Sequence, residues 1–378
     1  MTRLKHLFDG RRTPPEEAPA PAAPEPAPEP AIAFRMALGE LLLTCATAPD
    51  EVDNVDLARF EDGDQPLLPA DVRARLLVDA MNNPALEGLY AELADDASRA
   101  LMARLFAYRL LGPSKVRLPL ADGEMQRARR RVQDLRIAEG TVDLKFLGWH
   151  GDRFDLAPEG RSIVIDTHPL GVETLLLEQY RCPAHPDVAA RPGNVVIDGG
   201  ACWGDTALYF ADLVGPEGRV RSFEFEPNNV ERLRANLALN DHLAERIEVD
   251  ERALWHRDGE VLDLTPFGPA TTVREHTDDV AGALNVPSAA IDGLVASGTL
   301  PRVDFIKLDI EGAELAALRG ARDTLLRDRP RLAIALYHRP EDWTEIPAFL
   351  RELGVGYRFS LGHFTVHQEE TVLFAWVG

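Results

Sequence analysis

After Arg191 and Pro192, short runs of β-branched and apolar residues alternate with segments whose apolar residues recur three and four positions apart. Such alternation is the pattern of a parallel sheet whose strands are joined by covering helices. It predicts strands at 194–200 (NVVIDGG), 219–225 (RVRSFEF), 246–254 (RIEVDERAL), 303–309 (VDFIKLD) and 331–338 (RLAIALYH), with helices in most of the gaps. Helices starting near Trp203 and Asn228 follow their strands within a few residues, as the crossovers of a doubly wound sheet do. The closing pair, YRFSLGHFTV and ETVLFAWV, reads as an antiparallel edge.

Upstream the texture differs. Residues 1–32 contain a Pro, Ala and Glu tract (TPPEEAPAPAAPEPAPEPA) with too little apolar surface to offset the entropy of ordering, and are expected to form a disordered leader. Over 33–112 the spacing turns helical, as in VRARLLVDAM and ASRALMARLFAYRLLG. Over 113–190 short strand-like runs, VDLKFLGW (142–149) and RSIVIDT (161–167), punctuated by Gly and Asp, predict a β-rich lead-in. The α/β domain then occupies 191–378.

Composition narrows the partners. A 45% hydrophobic content excludes disorder throughout, and a net charge of −21, from 62 acidic and 41 basic residues, repels a phosphate backbone over most of the surface. Nucleic acid is therefore not expected as a substrate, and the basic run Arg127 to Arg131 reads as the solvated face of a helix. Three scattered cysteines (Cys45, Cys182, Cys202) suit neither a disulfide framework nor a zinc site. With no apolar stretch long enough to span a bilayer and no signal-peptide core at the N-terminus, a cytoplasmic protein without membrane partners is expected.

Chemistry concentrates at two strand ends. VVIDGGACWGDTAL is an apolar strand ending in Asp198, Gly199 and Gly200 that runs through Gly204 and Thr206 into a helix, a turn where glycines let the backbone approach a ligand. The next strand ends in Glu226, an acidic group suited to both hydroxyls of a ribose. Asp198, placed before the loop, suits the cationic methionine end of S-adenosylmethionine better than a pyrophosphate; its alternative is a turn or capping aspartate.

These segments resemble those of the FkbM-type S-adenosylmethionine-dependent methyltransferases. VIDGGACWGDTAL, FEFEPNNVERLRANLALN, ERAL, IDGLV and FIKLDIEGAELAALRGA stand in that family's order over about Val195 to Phe374. The resemblance implies a Rossmann-like class I fold with a mostly parallel seven-stranded sheet, and a methyltransferase domain at 191–378. It also implies S-adenosylmethionine as cofactor, with Asp198, Gly200 and Gly204 at the loop, Glu226 at the ribose and Ala253 near the adenine; Gly199 and Thr206, in the same loop, are further candidates for binding it.

On the acceptor side, Lys307 and Asp309 share one face of their strand, with Asp309 at its carboxyl end, where open α/β sheets place ligands. Asp309 is the first choice for a substrate-facing group, and Lys307 either holds it ionised or forms a structural bridge with it. Glu311 and Glu314 open the next helix, where the helix dipole alone favours carboxylates. His338 ends the next strand as general base, metal ligand or substrate contact. Many FkbM members carry a glutamate two residues before this histidine; Leu336 stands there instead, and catalysis without a metal is the preferred reading. Tyr357, His363 and Glu369 to Thr371 are candidates for the acceptor pocket or for ordinary surface, and Glu178 and Tyr180 for a segment folded over the cofactor or for core packing.

The expected activity is O-methylation of a hydroxyl on a sugar or glycosylated metabolite, with a small-molecule or glycan acceptor and a helical region whose amphipathic spacing suits either a homodimer interface or an acceptor lid. Two other readings compete: a nicotinamide-dependent oxidoreductase, since GGACWG partly mimics the dinucleotide fingerprint, and a non-catalytic interaction module on the same fold.

Overall fold

A computed structural model describes residues 32–50, 67–121, 123–277 and 284–378. The leader expected at 1–32 lies, except for Ile32, outside the described residues. Helices α1 (Ala33–Thr47), α2 (Ala70–Asn82), α3 (Pro84–Glu92) and α4 (Asp96–Leu111) come first. Asp95 opens α4 by accepting from the Ser98 amide at 2.7 Å, which satisfies one of the helix's orphan donors. Then follow α5 (Glu124–Leu135), an antiparallel sheet of β1 (Arg136–Asp143), β2 (His150–Asp155) and β3 (Val164–Thr167), and α6 (Pro169–Leu176). The strand predicted at 142–149 is instead the end of β1 and a turn, because Lys145 and Leu147 take left-handed φ values of 56° and 46° that no strand accommodates. The basic run lies on α5, where Arg129 pairs with Glu173 at 3.2 Å and Arg131 with Glu159.

The central sheet is built from β4 (Val195–Gly199), followed by α7 (Asp205–Val214), β5 (Arg219–Phe223), α8 (Pro227–Ala238), α9 (Asp241–Ala244) and β6 (Ile247–Asp250). A small sheet of β7 (Ala253–Leu254), β8 (Val261–Thr265), β9 (Thr272–Glu275) and β10 (Leu284–Ala289) interrupts it. The chain then continues through α10 (Ile291–Ala296), β11 (Phe305–Leu308), α11 (Glu314–Arg319), α12 (Arg322–Asp328), β12 (Arg331–Ala335), α13 (Asp342–Glu352), β13 (Tyr357–His363) and β14 (Thr371–Val377). The seven strands order as β13-β14-β12-β11-β4-β5-β6. All pairs are parallel except those of β14, so the reversed strand sits one place in from the edge, and β13, parallel to the rest, forms the edge. The single strand expected at 246–254 is divided between two sheets: the Asp250 carboxylate draws in the Arg252 guanidinium at 2.8 Å, and Ala253 and Leu254 turn away to pair with β10.

The period of two in each strand sorts side chains to the two faces. Val195, Ile197, Leu332, Ile334 and Leu373 join one core, with helices α1, α3, α4 and α13; Val196, Ala333, Val372 and Phe374 join the other, with α6, α7 and strands β2 and β3. The first helices also close the sheet edge. The Ala94 amide donates to Phe359 O at 2.7 Å and the Leu361 amide to Ser98 Oγ at 2.8 Å, so β13 presents fewer free groups for pairing with another chain.

Candidate active site

The carboxyl ends of β4, β5 and β11 converge on one cleft, lined by Gly200, Glu224, Phe225, Ala253, Gly268, Thr271, Asp309 and Glu311 among others. The loop after β4 forms its floor. Gly200 has a φ of 80°, and a Cβ there would lie 2.0 Å from Asp309 O, so only glycine lets this loop close against the end of β11. Gly204, with φ 90°, begins α7 in the same left-handed conformation, and a Cβ would press on Leu233 at 3.2 Å. The Gly200 and Ala201 amides donate to Phe223 O, which ties the loop to β5.

Beneath the loop Asp198 is fully buried. It accepts from Thr206 Oγ1 at 3.0 Å and from Ser222 Oγ at 3.1 Å, and Lys307 Nζ stands 3.5 Å away. The structure gives Asp198 and Thr206 the task of joining α7, β5 and β11 under the loop, because no surface of this carboxylate reaches the cleft. Lys307 is likewise buried and donates to the carbonyls of Gly199 at 2.8 Å and Gly200 at 2.6 Å. Its expected bridge to Asp309 is replaced by this hold on the loop, although its charge still acts on Asp309.

Glu226 also takes a different place. Its carboxylate caps α8, accepting from the Asn229 amide at 2.8 Å and from Asn228 Nδ2 at 2.9 Å, and it does not line the cleft. Glu224 lines the cleft instead, accepting from the amides of Phe225 and Glu226 at 2.8 and 2.9 Å. Burial pushes its carboxyl up to about 7, against the pull of those amides. The chain did carry a signal for this division: Pro227 follows Glu226, and proline favours the first position of a helix, which makes the residue before it the cap. Ala253 lines the cleft where β7 begins.

At the other end Asp309 is bracketed by two tyrosines. Tyr180 donates to Oδ2 and Tyr337 to Oδ1, both at 2.8 Å. Burial favours the neutral acid, but the charges of His338 and Lys307 and the two hydroxyls outweigh it and hold Asp309 below its ordinary value. Tyr180 thus joins the segment before β4 to the site, and Glu370 does the same from the β13–β14 turn, 3.2 Å from the Tyr337 hydroxyl and 2.8 Å from Gln179 Nε2. Tyr357 lies away from this end, donating to Pro330 O at the start of β12, and His363 is turned inward onto Thr371 Oγ1 at 2.9 Å.

His338 Nδ1 lies 2.8 Å from Glu314 Oε1, while Nε2 faces Asp309 Oδ1 at 3.4 Å and Glu311 Oε2 at 3.5 Å. Burial would lower the ring's pKa, but Glu311, Glu314 and Asp309 push it up to about 12. The surrounding carboxylates thus favour the charged form of the ring. Glu314 also accepts from the Ile310 amide at 2.9 Å, so it does more than meet a helix dipole: it joins the β11–α11 turn to His338.

A parallel sheet with one reversed strand next to its edge, a glycine loop after the first strand of the core and an acidic residue after the second define a class I S-adenosylmethionine-dependent methyltransferase fold. Residues 187–359 match the methyltransferase FkbM domain. The 2-O-methyltransferase NoeI of Sinorhizobium fredii (strain NBRC 101917 / NGR234) is 24% identical over 155 residues, 37% of this chain and 62% of that protein. The chain thus spans about three fifths of the length of the curated relative it matches. Among solved structures, the FkbM methyltransferase from Methylobacillus flagellatus KT is similar at 19% identity, covering 79% of this chain and 60% of that one with a TM-score of 0.49. Aeropyrum pernix fibrillarin, in complex with natively bound S-adenosyl-L-methionine, is similar at 16% identity over 60% of this chain and 90% of that one, with a TM-score of 0.37. Among the described residues no helix is long and apolar enough to cross a membrane.

Proposed function

We propose that this chain transfers the methyl group of S-adenosylmethionine to a hydroxyl of a sugar or glycosylated small molecule. The observation that carries the reading is the cleft itself: its lining runs from Glu224, Phe225 and Ala253 at one end to Asp309 and Glu311 at the other. The first end suits a nucleoside. The ionised Glu224 carboxylate accepts from two ribose hydroxyls, beside the small side chain of Ala253 and the Phe225 ring. Glycines 199, 200 and 204 keep the loop low enough for the donor's methionine portion. The second end suits the acceptor, since Asp309 offers an anionic hydrogen-bond partner to a hydroxyl. Support for an oxygen acceptor comes from the similarity to a protein named a 2-O-methyltransferase.

Methyl transfer is an in-line displacement on a sulfonium that is already activated, so the protein's contribution is chiefly alignment of the two reactants. On this reading Asp309→Asn keeps affinity for S-adenosylhomocysteine, measured by calorimetric titration, and lowers turnover by about two orders of magnitude with a glycosidic acceptor. Full turnover in that variant would leave Asp309 a structural residue, and absence of S-adenosylhomocysteine binding to the wild type would overturn the donor assignment.

A further inference from the structure

Among the described residues, Asp309, Glu314 and His338 bring three ligating atoms within 4.8 Å of one another. Two facts separate this cluster from an ordinary acidic patch. The His338 side chain is only 7% exposed, and its Nε2 is buried with no hydrogen-bond partner, facing Asp309 and Glu311. Fully buried Glu314 takes the opposite ring nitrogen at 2.8 Å. A buried polar atom without a partner calls for a group that would satisfy it. A histidine whose second nitrogen is fixed by a buried carboxylate, leaving the first aimed outward, is the arrangement that orients a metal-ligating imidazole.

We propose that His338 Nε2 and Asp309 bind a divalent first-row cation, with Glu311 reaching it from the loop and Glu314 orienting the ring. Two ligands of one small divalent ion lie roughly 3 to 3.5 Å apart, depending on geometry, and the Nε2 to carboxylate separations of 3.4 and 3.5 Å fit that span. Mixed imidazole and carboxylate donors suit manganese or zinc better than calcium. Asp309 keeps acceptor capacity for this, because a carboxylate offers about four lone-pair sites and the tyrosines use two. Asp309 and Glu311 line the cleft, so the remaining coordination positions open onto it, where acceptor hydroxyls would complete the shell. The absent glutamate two residues before His338 is no obstacle, since the fold supplies carboxylates from the β11–α11 turn instead. The role toward the acceptor rests on the methyltransfer reading; binding of the ion does not.

The test uses Mn²⁺ and the full chain. Electron paramagnetic resonance should show one saturable Mn²⁺ per chain, weakened roughly ten- to a hundredfold in Glu314→Gln and more in His338→Gln, and unchanged in the exposed variant Glu341→Gln. In wild-type protein with labelled histidines, substoichiometric Mn²⁺ should broaden the ring signals of one histidine of the ten, and that one should be His338. This second measurement needs no variant to fold. No saturable binding, or broadening centred on another histidine, overturns the site. S-adenosylhomocysteine titration, run separately, reports on the donor reading, so failure of one is distinguishable from failure of the other.

Discussion

Glu224 and Glu226 stand two positions apart at the end of β5 and do different work. Glu226 meets the free amides of α8, which is a matter of stability; Glu224 is turned to the cleft and is buried there with no positive partner among the described residues. Glu226→Gln should cost about 1 kcal/mol in urea unfolding, as a weakened cap does, and spare S-adenosylhomocysteine affinity. Glu224→Gln should do the reverse. Because the folded carboxyl of Glu224 is raised to about 7, above its ordinary value of 4.5, its stability contribution is fully present below the unfolded pKa and is lost as pH rises through 7. The ligand-free wild type should therefore lose Tm relative to Glu224→Gln between pH 5 and 8, by differential scanning fluorimetry. Over the same interval S-adenosylhomocysteine should bind more tightly, since the ionised carboxylate is the form that accepts two hydroxyls. Neither glutamate's task was readable from residue type; Pro227 separates them in the sequence, and burial separates them in the fold.

Among the elements, the turn after β4 is held from below by β11. Lys307 carries its ammonium through the sheet to two loop carbonyls and stands beside the buried Asp198. Lys307→Met should destabilise the chain by about 3 to 5 kcal/mol, since it leaves a buried carboxylate without its countercharge. A loss under 1 kcal/mol in urea melts would show that Thr206 and Ser222 suffice for Asp198. The core strands were legible within a residue or two at β4 and β5, because a period of two and a glycine turn mark them locally. The strand expected to 338 stops at Ala335, because Tyr337 and His338 leave the ladder to reach Asp309 and Glu314. Local pattern carries no information about those partners, which lie 24 to 28 positions away.

At the scale of the whole molecule, the helices before the α/β domain are part of its core. Phe106 packs edge-on to Trp343 at 5.3 Å and to Phe34 at 5.2 Å, linking α4, α13 and α1 across more than two hundred residues of chain. We infer from this shared core that 33–112 and 191–378 unfold together. Phe106→Ala should cost about 3 to 5 kcal/mol, and calorimetry should show one transition moving down in temperature as a whole. Two separate transitions, only one of them shifted, would make the helical region an independent unit.

The sequence by itself determined the alternation of strands and helices, the glycine loop, the match of residues 187–359 to the FkbM domain and the placing of Asp309 at a strand end, because each is written in neighbouring residues or in spacing of a few positions. Only the tertiary structure decided that Glu224 and not Glu226 faces the cleft, that Lys307 holds the loop, that Tyr180, Tyr337 and Glu314 surround the Asp309–His338 pair, and that the first helices cover the sheet edge. Those assignments depend on which groups are buried together and how far apart they stand. Burial and distance arise between segments remote in sequence, where no local pattern records them.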